Sequence, residues 1–475
     1  MRWAIKSVFI PAALFVFAAC VFAAPPAELS ANAASRLDWT KYQNATVRLM
    51  QDYLRIDTSN PPGNELAAAV FFHRLFDANG IPNTIFPLAP KRADIYAILK
   101  GDGSLPPIIL LNHLDVVRAV SRDWRVPPFS GEILHGALYG RGALDMKDIG
   151  LLQAMVMVMA ANEHLHLKRD LIFLGTADEE VRDLGATWFL AHHADLLRHA
   201  AYLLTEGGTA VAYPGQGPIY GIDVAEKAPF WIRATAHGRG GHGSIPIPRS
   251  APNRLVEAMR RVVRWQPPIR LLPLVEQYFR QIAPLQKEPL KEAFLNVRQS
   301  LEAPGFRDTL SGDPDFNYLL RDTVSLTVLH AGGQTNVIPH SAYAELDVRL
   351  LPGDDPQDFL AQLRKVIADP GIKLEPIGPF RKPNSSPTAT MLYRVIEAVV
   401  RRHNPQAVVT PELNSGYTES QMFRPLGITA YGFNPVCVSP EMEQTQHARN
   451  ERVPVEPLRQ GLQVLFEVVT KAANQ

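Results

Sequence analysis

The chain has 475 residues, 46% of them hydrophobic and 20% charged, with a formal net charge of +1. That length suits two or three domains, and the composition is that of a globular protein with a sizeable core, which excludes a disordered chain. The N-terminal segment carries Arg2 and Lys6 and no acid, so the remainder stands at −1. Nothing in this balance favours nucleic acid or an anionic surface as a partner.

Residues 1–23 read as an export signal. Arg2 and Lys6 form its basic end, Val8 to Phe22 its apolar stretch, and Val21-Phe22-Ala23 a small-residue cleavage pattern before Ala24. The stretch is short for a membrane span, so cleavage and a periplasmic or secreted destination are expected, with no span left afterwards. Lipidation at Cys20 ranks lower, because Phe17 is a poor match to the aliphatic residue such a signal uses. Only Cys437 then remains in the folded body, and no intrachain disulfide is available.

Helical spacing follows at 43–55 and 64–79, with Asn64 as N-cap and Gly80 as stop. Ile108–Leu111, Leu171–Leu174 and Tyr202–Leu204 are short apolar strands. The segment 149–162 is a helix apolar nearly all round, which must be buried against a sheet. This β-α-β order predicts a doubly wound, mostly parallel sheet in an α/β catalytic domain covering 40–227 and 379–475. Between them, 228–378 reads as an inserted α+β module. It holds a strand from 229, a helix at 252–265, a Pro-rich helical stretch at 266–322 and two alternating strands around a GGQTNVIP turn. A helix near 356–368 and a strand near 372–376 end it. Another helix is expected at 386–403.

The chemistry sits where the apolar runs end. His113 and Asp115, Asp145, the triplet Asp178-Glu179-Glu180, and Glu206 each follow such a run, and His447 lies near the C-terminus. Strand tips of an open α/β sheet gather at its carboxyl edge, where ligands bind. Two histidines and several carboxylates there can hold two divalent cations. Competing histidines (His164, His166, His192, His193, His403) read as exposed helix residues.

HLDVV (113–117), WRVPPFSG (124–131), YGRGALDMK (139–147), TADEE (176–180), TEGG (205–208), GRGGHGS (238–244), TNVIP (335–339) and DVRLLPG (347–353) occur in this order. Together they resemble the di-zinc exopeptidase and amidohydrolase family of aminoacylase, carboxypeptidase G and succinyl-diaminopimelate desuccinylase, with the carboxypeptidase S (Gly-Xaa carboxypeptidase) branch nearest. The resemblance implies that Asp145 bridges two metals and precedes a cis peptide. It implies His113 and Glu206 on one metal, Glu180 and His447 on the other, with Asp115 orienting His113. Glu179 is then the general base. Oxygen and nitrogen ligands without thiolate suit zinc, with manganese or cobalt as alternatives.

The same resemblance makes the inserted module a lid or dimerisation domain from which His242 reaches the active site, often that of the other subunit in a homodimer. Arg349 offers a fork for a substrate carboxylate, with Asn336 beside it and backbone amides near Gly416. The chain departs from its relatives at SGYTES, where Tyr417 and Glu419 replace smaller or shorter residues. The expected activity is metal-dependent hydrolysis of the amide bond to a C-terminal amino acid, in short peptides or N-acyl amino acids. Two alternatives stand beside it: an amidohydrolase of non-peptide amides, and an inactive exported peptide-binding relative.

Overall fold

The computed structural model describes residues 37–213 and 215–475. The export signal and Cys20 lie outside the described residues. Helices α1 (Trp39–Leu54) and α2 (Glu65–Asp77) precede β1 (Asn83–Ala89), β2 (Arg92–Leu99) and β3 (Ile108–His113). Then come α3 (Lys147–Asn162), β4 (Leu171–Thr176), α4 (Leu184–His193), β5 (Tyr202–Thr205), β6 (Ala210–Val211) and β7 (Ile219–Glu226). Asn64 does stand at the start of α2, but its side chain makes no cap bond and donates instead to the Asp57 carbonyl.

The second group of elements is β8 (Ala228–Pro229), β9 (Ile232–His237), α5 (Ala251–Val262), α6 (Pro273–Ile282), β10 (Thr323–Ala331), β11 (Ser341–Leu350), α7 (Pro356–Ile367) and β12 (Ile372–Pro376). The chain closes with α8 (Met391–His403), β13 (Val408–Asn414), β14 (Thr429–Gly432) and α9 (Val455–Ala472). Helix α8 starts five residues later than expected. Thr390 caps it, and Pro387 with the Ser386 bonds to Ala430 keeps the preceding segment extended along the sheet.

A nine-stranded sheet runs β6-β7-β14-β5-β3-β4-β2-β1, with β13 also on β7. Its centre, β14-β5-β3-β4, is parallel, as is the β7–β13 pair; β2 and β7 join the centre antiparallel, and β1 and β6 pair antiparallel beyond them. The α/β architecture with an inserted second sheet is therefore present, and its parallel character is concentrated at the centre. Helix α3 is buried along Lys147–Ala160, and Gln153 donates to the Leu111 and Leu204 carbonyls. Its Met/Val run is core. On the opposite face, Phe189 and Ala186 of α4 pack with Ile109, Leu111, Ile172 and Leu174.

The second sheet, β8-β11-β9-β12 with β10 on β11, is antiparallel throughout and carries its own core against α5 and α7. The stretch 266–322 is helical, as read, and its helix α6 packs on β13 of the first sheet. Among the described residues, no helix is long and apolar enough to cross a membrane.

Candidate metal centre

His113 is the last residue of β3 and pairs with Thr176, the last of β4; Thr205 ends β5 one residue before Glu206. Parallel register therefore brings His113, the Asp178–Glu180 loop and Glu206 to one edge. Asp145 arrives from a different direction, on the turn before α3, and the Asp145–Met146 peptide is cis. Strands at Glu132–Leu134, Ala137–Tyr139 and Arg452–Pro454 form a small sheet that ties the Asp145 turn to the segment carrying His447.

The carboxylate of Asp145 lies between the two imidazoles. Its Oδ1 is 3.1 Å from His113 Nε2 and its Oδ2 is 3.0 Å from His447 Nε2. Glu206 Oε2 is 3.4 Å from His113 Nε2, and Glu180 Oε1 is 3.2 Å from His447 Nε2. Two overlapping groups, His113-Asp145-Glu180 and His113-Glu179-Glu206, place their donor atoms within 4.8 Å of one another. All five residues read as ligands are thus brought together, with Glu179 beside them.

Electrostatics sets this edge apart. Burial opposes charge on His113, but Glu206 and Asp145 outweigh it and raise its pKa well above 6.5. Hydrogen bonds to Asp145 and Glu180 raise His447 to about 10. Burial, then Glu206, pushes Glu179 far above the usual carboxylate range, and burial lifts Glu206 to about 7. For Asp145, burial works the other way, yet the two histidines win and its pKa falls. Several carboxylates crowded with two imidazoles and no lysine or arginine among them form a donor set that suits divalent cations.

Asp115 does more than orient an imidazole. His113 Nδ1 is 3.0 Å from the Asp115 backbone carbonyl and 3.7 Å from its carboxylate. That carboxylate instead accepts the backbone N–H groups of Glu179 (3.1 Å) and Glu180 (3.2 Å) and the amide of Asn60 (2.8 Å). Asn60 also holds Asp178, which Arg92 pairs at 2.9 Å.

Two supports escaped the sequence reading. Glu451, fully buried, accepts from Arg141 (2.5 Å) and from the backbone N–H groups of Gly142, Leu144 and Asp145. Its position four residues after His447, inside the HARNERV segment, was the available signal. Asn60 carries no local signal, since only the fold brings it under Asp115.

The remaining candidates make other contacts in this structure. His242 is exposed, on a two-residue strand paired to Val337, and its Nδ1 is 2.7 Å from Ser244 Oγ. The Asn336 carbonyl accepts from Gly243. The Arg349 fork is engaged by Asp347 at 2.8 and 3.2 Å. The Gly416 amide donates to Asn414 Oδ1 at 2.8 Å. None of these four contacts reaches the carboxylate cluster. Among the competing histidines, His192 bonds the Trp188 carbonyl, His403 pairs with Glu467 and His166 with Asp102.

Comparison with known proteins decides the family. The model of peptidase family M20/M25/M40 matches residues 109–471. The chain belongs to this family. The family expected from the eight ordered motifs is therefore the one found. Among relatives, the human N-fatty-acyl-amino acid synthase/hydrolase PM20D1 is 28% identical over 87% of this chain and 84% of its own length. A probable carboxypeptidase S-like 2 of Dictyostelium discoideum is 26% identical over 78% of this chain and 72% of its own length. Mouse aminoacylase-1 is 24% identical over 91% of this chain and 96% of its own length. The family metallo-carboxypeptidase Sso-CP2 of Sulfolobus solfataricus has the same fold, with a TM-score of 0.70 at 16% identity, covering 90% of this chain and 98% of that one.

Proposed function

We propose that the protein is a metal-dependent amidase that releases a C-terminal amino acid from N-acyl amino acids, and from short peptides more slowly. The observation that carries this reading is the Asp145 carboxylate shared between His113 and His447, with Glu206 and Glu180 at the outer positions. His113, Asp145 and Glu206 would hold one divalent ion; Glu180, His447 and Asp145 the other. Zinc suits this donor set best, with manganese or cobalt as substitutes. When bound, such ions lower the pKa of a water and polarise a carbonyl oxygen.

The protein's own groups do the rest. Glu179, held through its backbone by Asp115, takes the proton of the attacking water and passes it to the leaving nitrogen. Asp115 fixes the loop bearing Glu179 and Glu180, and its carbonyl sets the His113 ring. His242 is assigned to the developing oxyanion, delivered by closure of the 228–378 module or across a homodimer. Arg349, with Asn336 and the Gly416 amide, is assigned to the substrate carboxylate. Arg349 must first release Asp347, and Gly416 must release Asn414.

The preference for N-acyl amino acids rests on the human relative named for N-fatty-acyl-amino acids, which matches most of both chains. The basic-then-apolar segment 1–23 supports export. The deciding experiment assays the purified, metal-analysed protein on N-acyl amino acids of short and long acyl chain, on dipeptides, and on non-peptide amides. Metal-dependent release of free amino acid is expected, fastest from N-acyl substrates. Full metal occupancy without turnover on any of them would leave only a peptide-binding role.

A further inference from the structure

Glu179 and Glu180 lie on the segment 177–183, which joins β4 to α4. Two aspartates bracket them, and both are left-handed: Asp178 at φ 73° and Asp183 at φ 54°. Aspartate visits this region more readily than most residues, but it stays there only where its surroundings hold it. The Asp178 carbonyl accepts the N–H groups of Arg182 (2.9 Å) and Asp183 (2.7 Å), so the loop closes on itself between the two.

Each bracket is gripped from outside by an arginine. Arg92, on β2 of the same sheet, pairs with Asp178 at 2.9 Å. Arg381 pairs with Asp183 at 2.5 Å, and its guanidinium has further uses. Nη1 also donates to Tyr417 Oη at 3.0 Å, and Nη2 donates to Thr187 Oγ1 of α4 at 3.3 Å. An ordinary surface ion pair contributes little. This one closes on a carboxylate only 9% exposed and joins three segments of the catalytic domain. One of them is SGYTES, where the chain departs from its relatives. That segment also reaches the start of the loop, since buried Glu419 accepts from Thr176 Oγ1 at 2.7 Å.

Arg381 belongs to none of these segments. It stands on the connection that leaves the inserted module after β12. On the module side the Ile377 N–H donates to the Trp231 carbonyl; on the sheet side the Ser386 N–H donates to the Val224 carbonyl, both at 2.8 Å. The loop is therefore held from within its own sheet by Arg92 and Asp115, and from the module's connection by Arg381.

We propose that Arg381 is a positioning residue, which sets Glu179 and Glu180 for reaction through Asp183. This rests on the reading of Glu179 as base and Glu180 as metal ligand. Arg381 acts at a distance from the substrate, so its loss should fall on kcat and leave KM in place. Small displacements of a catalytic group are costly, and a drop of about tenfold or more is expected. Lysine keeps the charge on Asp183 while giving up the fork to Tyr417 and Thr187.

Steady-state kinetics on an N-acyl amino acid at saturating zinc tests this in the full chain. Arg381→Met should lower kcat about tenfold or more with KM within about threefold of wild type, and Arg381→Lys should recover most of the loss. The double variant Arg381→Met/Asp183→Asn should be as slow as Arg381→Met. Recovery of wild-type kcat in that double variant overturns the proposal, because the pair would then only neutralise itself. An unchanged kcat in Arg381→Met overturns it too, as does a rise in KM alone, which would make Arg381 a substrate contact. Hydrogen exchange gives a second readout that needs no turnover. Amides 179–183 should exchange faster in Arg381→Met while β9 and β11 stay as in wild type, and equal exchange over 179–183 refutes the tie. Faster exchange there, beside a Glu179→Ala variant that keeps its turnover, would sink Glu179 as base and leave the hold of Arg381 on the loop standing.

Discussion

In the nine-stranded sheet, the ends of β3, β4 and β5 deliver His113, Glu179, Glu180 and Glu206 into a small volume, and burial pushes the Glu179 and Glu206 carboxyls up. In the five-stranded sheet, β11 alternates buried and half-buried residues from Ala342 to Leu350, and charge is met by opposite charge. Arg233 stands directly across from Glu345 at 2.5 Å, and Arg254 holds Asp369 at 2.5 Å. The first sheet keeps like charges close and needs a cation to settle them. The second is complete with its own side chains. Function is paid for locally, in the sheet that carries it.

The strongest way to sharpen this contrast is chelation. Removing divalent ions should abolish turnover and lower Tm, with added zinc restoring both, because a ligand that binds only the folded state stabilises it. Hydrogen exchange should rise around 111–115, 142–148 and 176–182, while β9 and β11 keep their protection. Equal loss in both sheets would break the comparison.

Next in size, Glu179→Ala should lower kcat by on the order of 10²–10⁴-fold, the usual contribution of a general acid–base group. Metal content measured by elemental analysis should stay near that of wild type. Retained turnover would remove Glu179 from its assigned role.

Arg141→Met comes third. It leaves Glu451 buried beside the Asp145 turn with its cation gone, and breaking one side of a buried pair costs about 3–5 kcal/mol. Denaturant unfolding should show that loss, and metal occupancy should fall with it. An unchanged midpoint would mean that the backbone N–H groups of Gly142, Leu144 and Asp145 alone satisfy Glu451.

The smallest effects belong to the second sheet. Hydrogen bonds from Arg254 hold Asp369 down at about 2, below an unfolded carboxyl near 4. A depressed folded pKa contributes stability that is present above the unfolded value and lost as pH falls through the folded one. Between about pH 4 and pH 2, wild type should therefore lose a stabilising increment that Arg254→Met never had, so the two acid-unfolding curves converge. Arg233→Met, at a more exposed pair, should shift the unfolding midpoint least of all.

Some elements were plain before any coordinates. Apolar strands ending in acids and histidines, an all-round apolar helix at 149–162 and the strict alternation of 341–350 each carry a local periodicity that survives folding. Asn64 shows where such reasoning stops. Its type and position suit a cap, but a nearby carbonyl at Asp57 captured the side chain. Asp115 shows the same limit at the site. Two residues from His113 it looks like an orienting carboxylate, yet the carboxylate turned to the Glu179 and Glu180 amides and left the carbonyl to the imidazole.

What the amino-acid order by itself determined is the three central strands with their acidic tips, the alternating strands of the inserted module and the family, because these depend on neighbours in sequence. Tertiary structure alone decided that Asn60 and Glu451 brace the centre, that Arg349 is already engaged by Asp347, and that Arg381 holds Asp183. Hydrogen bonds and burial across hundreds of residues leave no periodic trace, since a buried polar group takes whichever partner the packed chain brings within reach.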